Sequence, residues 1–175
     1  TYNYIYMYIV FLFVSGPYWA PFWNIFNGYF HILGGTISGK VEKSQRLLIE
    51  SLIERVKKQF VSASLKAVEI GFDLIEIHGT HGYLLHQFLS PISNKRKDKY
   101  GGNLENRMRF PLEIFSSIKD CLPKDFPLGM RITGTEWENN GIDENEANIF
   151  AQELEKIGCH YVCVSSGGNT PSPKI

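Results

Sequence analysis

The chain has 175 residues, 43% of them hydrophobic, which suits one domain with a sizeable buried core. Eighteen lysines and arginines balance eighteen aspartates and glutamates, so the formal net charge is zero and charge gives no case for a nucleic-acid partner or an anionic membrane. The three cysteines (Cys121, Cys159, Cys163) are odd in number and form no C-x-x-C pair, which argues against a disulfide framework, favours a reducing, cytoplasmic setting and leaves buried small hydrophobes as the simplest expectation for all three.

Residues 1–39 contain no Lys, Arg, Asp or Glu, and hold thirteen of the 24 aromatic residues. Tyr2, Tyr4, Tyr6 and Tyr8 alternate with Asn3, Ile5 and Met7 at a strand period. The apolar run to Val14 breaks at Gly16-Pro17, short of the roughly 20 residues a membrane-spanning helix needs. No positive region precedes it, as one would in a secretory signal. A second run, Trp19 to Leu33, is interrupted by Pro21, Asn24, Asn27 and Gly28. Residues 1–39 therefore read as a separate, charge-free aromatic segment, and residues 40–175 as the domain proper, with Gly34 to Gly39 as a turn-rich boundary.

From Ser44 the pattern changes. Leu47, Leu48, Leu52, Val56, Phe60, Ser64, Ala67 and Val68 recur at three and four, the stripe of a long helix, with Glu54, Arg55, Lys57 and Lys58 on its wet side. Gly71 ends it and a strand is expected over Asp73–His78. A loop with a short helix follows, then Lys95-Arg-Lys-Asp-Lys99, most simply a solvated basic loop. Asn103 is a good N-cap for the next helix, with Glu105 in its positive first turn and Met108, Leu112, Phe115 and Ile118 as its core stripe. Strand Leu128–Ile132, a polar loop through Gly141, a helix from Asp143 to Ile157 and strand Tyr161–Val164 complete an α-β-α-β-α-β order. Such alternation with short loops implies parallel strands joined by crossover helices. A closed barrel of this kind needs eight strands and about 250 residues, so three strands imply an open sheet or part of a barrel.

Chemistry concentrates in Glu76-Ile-His78-Gly-Thr-His81-Gly-Tyr83, where a strand gives way to a turn. Together with Arg131 and Ser165 these residues fall at strand C-termini, the edge where parallel α/β folds form active sites. Glu76 and His78 share a strand face by their spacing, with Ile75 and Ile77 turned to the helices. A glutamate inside a sheet core needs a partner, and Arg131 is the candidate; a purely structural buried pair is the alternative. His78-x-x-His81 also admits a metal reading, which would want a third ligand, and the only nearby candidate, His86, is expected to point outward. Two hydrogen-bonded loop histidines are the plain alternative.

Taken together, three stretches resemble the Old Yellow Enzyme family of flavin-dependent ene-reductases: Gly71-Phe-Asp-Leu-Ile-Glu-Ile-His78-Gly-Thr-His81-Gly-Tyr83-Leu, His86-Gln-Phe-Leu-Ser-Pro91, and Asn94-Lys-Arg96-Lys-Asp-Lys-Tyr100-Gly-Gly-Asn-Leu-Glu-Asn106-Arg107-Met-Arg109-Phe110. Arg131-Ile-Thr and Ser165-Ser-Gly-Gly follow in the family's order, so the resemblance spans residues 53–170. The His-x-x-His form is closer to the bacterial-type branch than to the His-x-x-Asn branch. Asn103 stands where the family more often has serine, an exchange of one N-cap residue for another. The resemblance implies an α/β fold that is part of a (β/α)8 TIM barrel, with residues 73–78, 128–132 and 161–165 as its fourth, fifth and sixth strands. It implies FMN as cofactor, NAD(P)H as hydride donor, and reduction of the C=C bond of α,β-unsaturated carbonyl or nitro compounds. His78 and His81 would bind the substrate's oxygen, Tyr83 would deliver a proton as general acid, and Arg131 would sit by the flavin ring.

The departures set further expectations. The family's first three strands have no recognisable counterpart in residues 1–52, and the chain stops at Ile175 before a seventh and eighth strand, which in such barrels carry the phosphate-binding loops. The polypeptide is therefore expected to be a barrel fragment that holds FMN weakly or not at all alone, and whose open sheet edges favour self-association into homo-oligomers. Two other functions compete: a barrel remnant without cofactor or catalysis, and a metal-assisted lyase or hydrolase using His78, His81 and Glu76.

Overall fold

The computed structural model describes residues 43–167, with side chains described from residue 50 onward. Seven elements follow one another: α1 (Lys43–Glu69), β1 (Ile75–Gly79), α2 (Leu84–Leu89), α3 (Leu104–Cys121), β2 (Leu128–Thr135), α4 (Glu144–Lys156) and β3 (Tyr161–Ser166). The expected alternation is present, with the first strand beginning two residues later than anticipated. The reading of residues 1–39 and the stripe positions Leu47 and Leu48 lie outside the described residues or side chains.

The three strands form one parallel sheet in the order β1-β2-β3. Parallel pairing matches residues in rows: Glu76, Gly129 and Tyr161; His78, Arg131 and Cys163; Thr133 and Ser165. Alternation then gives the two faces different chemistry. Ile75, Ile77, Leu128, Met130 and Ile132, all at most 2% exposed, form the apolar face, and the helices cover it. The intervening residues form a polar face, with Glu76 and His78 themselves buried. The sequence pattern pointed to this arrangement, because strands buried on both faces rarely show a polar residue without a reason.

Each helix is held by its own signals. α1 stops where Gly71 adopts φ 90° and the amides of Gly71 and Phe72 bond back to Val68 and Ala67. Asn103 caps α3 by accepting from the Asn106 amide, and Asp143 caps α4 by accepting from the Glu146 amide. In α3 the buried stripe is wider than the predicted one: Phe110 and Ile114 are fully buried, while Leu112 is only partly so. In α1, Ile53 and Ala63 lie deeper than the expected Val56 and Phe60. Phe88, Tyr100 and Phe110 pack ring against ring and tie α2 to α3.

Two expectations fail here for physical reasons. Arg96 is not a solvated loop cation: its guanidinium lies over the rings of Phe88 and Tyr100, 5.6 and 5.9 Å from their centroids, and pairs with Asp98. Cys121 is exposed at the end of α3, and Cys159 and Cys163 are only partly buried, so none is a fully buried small hydrophobe. Among the described residues no helix is long and apolar enough to cross a membrane.

Candidate active site

The polar rows meet at the C-terminal rim of the sheet. β1 ends at Gly79, and Thr80 closes a tight turn by accepting from the Tyr83 amide at 3.2 Å. The two central residues, His81 at φ 56° and Gly82 at φ 76°, are both left-handed, a conformation that re-aims the chain sharply. As a result three rings gather. His78 lies 5.2 Å from His81 and 4.9 Å from Tyr83, centroid to centroid. Across the sheet, His81 Nε2 shares a 2.7 Å hydrogen bond with Ser165 Oγ, and Thr80 and Thr133 share one of 2.6 Å between their hydroxyls.

Arg131 stands in the same row as His78, and its Nε donates to Glu76 Oε1 at 2.8 Å. The pairing anticipated for this glutamate is present, and it leaves a cation of fixed position, 20% exposed, at the rim. The row beneath is shaped by Gly129. A Cβ there would lie 2.3 Å from the ring of Tyr161, so the glycine makes room for that ring on the polar face. A register shift between Thr133 and Thr135 interrupts the regular pairing of β2 with β3 just past Arg131, and irregularities of this kind commonly border sites.

Charge state follows from burial and neighbours. Burial, then the proximity of His81, Arg131 and His86, pushes the pKa of His78 down to about 4. Burial, with Arg131 and His86 nearby, also lowers that of His81. At neutral pH the pair is thus uncharged, and each ring offers one N–H donor and one acceptor. Tyr83 is 37% exposed and so stands where the site meets solvent. The arrangement can grip an oxygen atom with neutral donors and supply a proton close by.

His86 departs from expectation. Its ring is turned inward and wholly buried, accepting at Nδ1 from the Gly82 amide at 2.9 Å and lying 3.2 Å from Glu136 through Nε2. The helix direction alone did not reveal this, because the partner lies fifty residues further along the chain. Glu136, also wholly buried, drew no attention in the sequence, where Glu136-Trp137-Glu138 reads as a polar loop. Burial opposes its charge, yet the His86 ring 3.2 Å away and hydrogen bonds from Ser90 and the Ile142 amide lower its pKa to about 2. Among the described residues no group of three or more His, Cys, Asp or Glu could hold a metal. Glu76 is committed to Arg131, and His86 to Gly82 and Glu136.

Known proteins agree on the kind of molecule this is. A family model described as NADH:flavin oxidoreductase / NADH oxidase matches residues 33–168. An NADH oxidase of Thermoanaerobacter brockii is 45% identical over 115 residues, which is 66% of this chain and 18% of that protein. An NADPH dehydrogenase of Halalkalibacterium halodurans is 39% identical over 142 residues, covering 81% of this chain and 41% of the relative. Among solved structures, 2-naphthoyl-CoA reductase in complex with 2-naphthoyl-CoA superposes with a TM-score of 0.65 at 31% identity, over 69% of this chain and 18% of that one. Histamine dehydrogenase from Rhizobium sp. 4-9 gives 0.61 at 30% identity, over 72% and 17%. The chain thus spans between 17% and 41% of the length of these relatives. With the family model covering most of its residues, the chain belongs to the NADH:flavin oxidoreductase / NADH oxidase family.

Proposed function

We propose that the chain carries the catalytic corner of an FMN-dependent NAD(P)H oxidoreductase that reduces the C=C bond of α,β-unsaturated carbonyl or nitro compounds. On this reading β1, β2 and β3 are the fourth, fifth and sixth strands of a (β/α)8 barrel, and residues 1–39 stand apart from it. Parallel order and the layered polar face support that assignment. The observation that carries the chemistry is the convergence of His81 and Tyr83 on His78, with ring centroids 5.2 and 4.9 Å from it, beside a fixed Arg131.

The donor set fits the ring end of FMN. A flavin's pyrimidine edge accepts hydrogen bonds and gains negative charge on reduction, and a partly exposed guanidinium tethered by Glu76 matches both properties. Arg131 would hold that edge. When bound, FMN supplies the hydride that originates from NAD(P)H. The chain's own residues do the rest. Neutral His78 and His81 donate hydrogen bonds to the carbonyl or nitro oxygen, stabilising the charge that gathers there. Ser165, bonded to His81 Nε2, fixes that ring's orientation. Tyr83 gives its phenolic proton to the substrate carbon and regains one from solvent.

In the FMN-loaded protein, Tyr83→Phe is expected to slow alkene reduction by about 100-fold or more. Flavin reduction by NAD(P)H should stay within about twofold. Equal losses in both half-reactions would remove Tyr83 from the proton-donor role.

A further inference from the structure

Among the buried titratable groups that the proposed chemistry leaves unused are His86, which holds the turn that presents His81 and Tyr83, and Glu136, which lies against His86. That turn holds a non-glycine residue, His81, at φ 56°, a conformation that persists only where the surroundings over-determine it. The surroundings are specific. The Gly82 amide donates to His86 Nδ1 at 2.9 Å, and the Gln87 side-chain amide donates to the Gly82 carbonyl. Both backbone polar groups of Gly82, the second left-handed residue, are thereby tied to α2. A ring nitrogen that accepts carries no proton, so neutral His86 holds its proton on Nε2, 3.2 Å from Glu136 Oε1. The other carboxylate oxygen accepts from Ser90 Oγ at 2.6 Å and from the Ile142 amide at 2.8 Å. The loop closes tightly over this glutamate: a Cβ on Gly141 would lie 2.8 Å from Glu136 Cβ.

We infer that His86 and Glu136 are positioning residues for the His81–Tyr83 turn: Glu136 keeps the proton of His86 on Nε2, and the bare Nδ1 holds the Gly82 amide and the left-handed geometry that brings His81 beside His78 and Ser165. The inference rests on the reading of that corner as the site. It makes the corner depend on the loop after β2, so the two strands' loops act as one unit.

The test uses the full chain without flavin. It measures hydrogen exchange at the Gly82 amide and the tautomer of His86 by nitrogen NMR, with thermal melting as a control on folding. His86→Leu should speed Gly82 exchange by about tenfold or more, while amides of Ile77 and Met130 keep their protection. In His86→Asn, Oδ1 takes the place of Nδ1 and should restore most of the Gly82 protection. Glu136→Gln is the sharper variant. The Ile142 amide can only donate, so the substituted carboxamide must turn its oxygen there and its NH2 toward His86, driving the proton onto Nδ1 and releasing the Gly82 amide. If His86→Leu fails to fold, the tautomer in Glu136→Gln decides alone. An unchanged tautomer in Glu136→Gln, or Gly82 exchange that moves only in step with the core amides, would overturn the inference. No flavin or alkene enters these readouts, so their failure is separate from failure of the Tyr83→Phe split.

Discussion

His78 illustrates how far a single residue could be read from its neighbours in the chain. Its place at a strand tip, and the Glu76–Arg131 pair one step away, followed from alternation and from the cost of burying a carboxylate alone. The His86 orientation did not follow, because a partner fifty residues distant fixes it, and Arg96 departs from the basic-loop reading because its cation rests on two aromatic faces rather than in water. The same burial that hides His78 makes a pH prediction. Its folded pKa, about 4, lies below the ordinary 6.5, so the unfolded chain takes up the proton first. Stability is therefore unaffected by this group above about pH 7.5, and declines as pH falls from 6.5 toward 4. His81 acts in the same direction, whereas Glu146, whose pKa burial raises, opposes it. Glu136 contributes stability above 4.5 that is lost only as pH falls toward 2, outside this window. Urea midpoints of the wild type should therefore drop between pH 7 and pH 4.5, and His78→Gln should flatten that drop. An equally steep drop in His78→Gln would show that this imidazole is not the group held neutral.

Among the elements, the caps and stripes were the most legible and the exact depth of each position the least. Asn103 caps its helix as the sequence suggested, because an N-cap is a local hydrogen bond, and Asp143, expected as the first helical residue, proves to be a cap of the same kind. Ile53, Phe110 and Ile114 proved more central than some predicted stripe residues, because depth depends on which neighbour each helix meets. Gly129 belongs to this scale. Nothing in Leu128-Gly-Met-Arg announced that β2 must be bare there, yet the ring of Tyr161 in the next strand occupies the space a side chain would need. Gly129→Ala is expected to destabilise the fold by about 1–3 kcal/mol through overpacking. The same substitution should cost much less in a Tyr161→Ala background, which thermal or urea unfolding of the double-mutant cycle will read. Equal costs in both backgrounds would contradict the account of that row.

For the whole molecule, the alternating order of helices and strands was enough to infer a parallel sheet with a covered apolar face, and that sheet is present. The sequence already placed the separate motifs at one rim of the sheet; what it could not convey is the register, in which residues from successive strands fall into shared rows. That rim explains why words more than 30 residues apart, around His78, Arg131 and Ser165, come together in one place. The central claim is that the two neutral imidazoles there receive the oxygen of an activated alkene. The most direct measurement is nitrogen NMR of the histidine rings in the FMN-loaded protein as a cyclic enone is added. His160, bonded to Leu128 at the opposite end of β2, is the internal control. The account predicts that the His78 and His81 resonances move together with enone concentration while His160 stays still; rings of His78 and His81 that remain unmoved at saturating enone, or that move no more than His160, would contradict it.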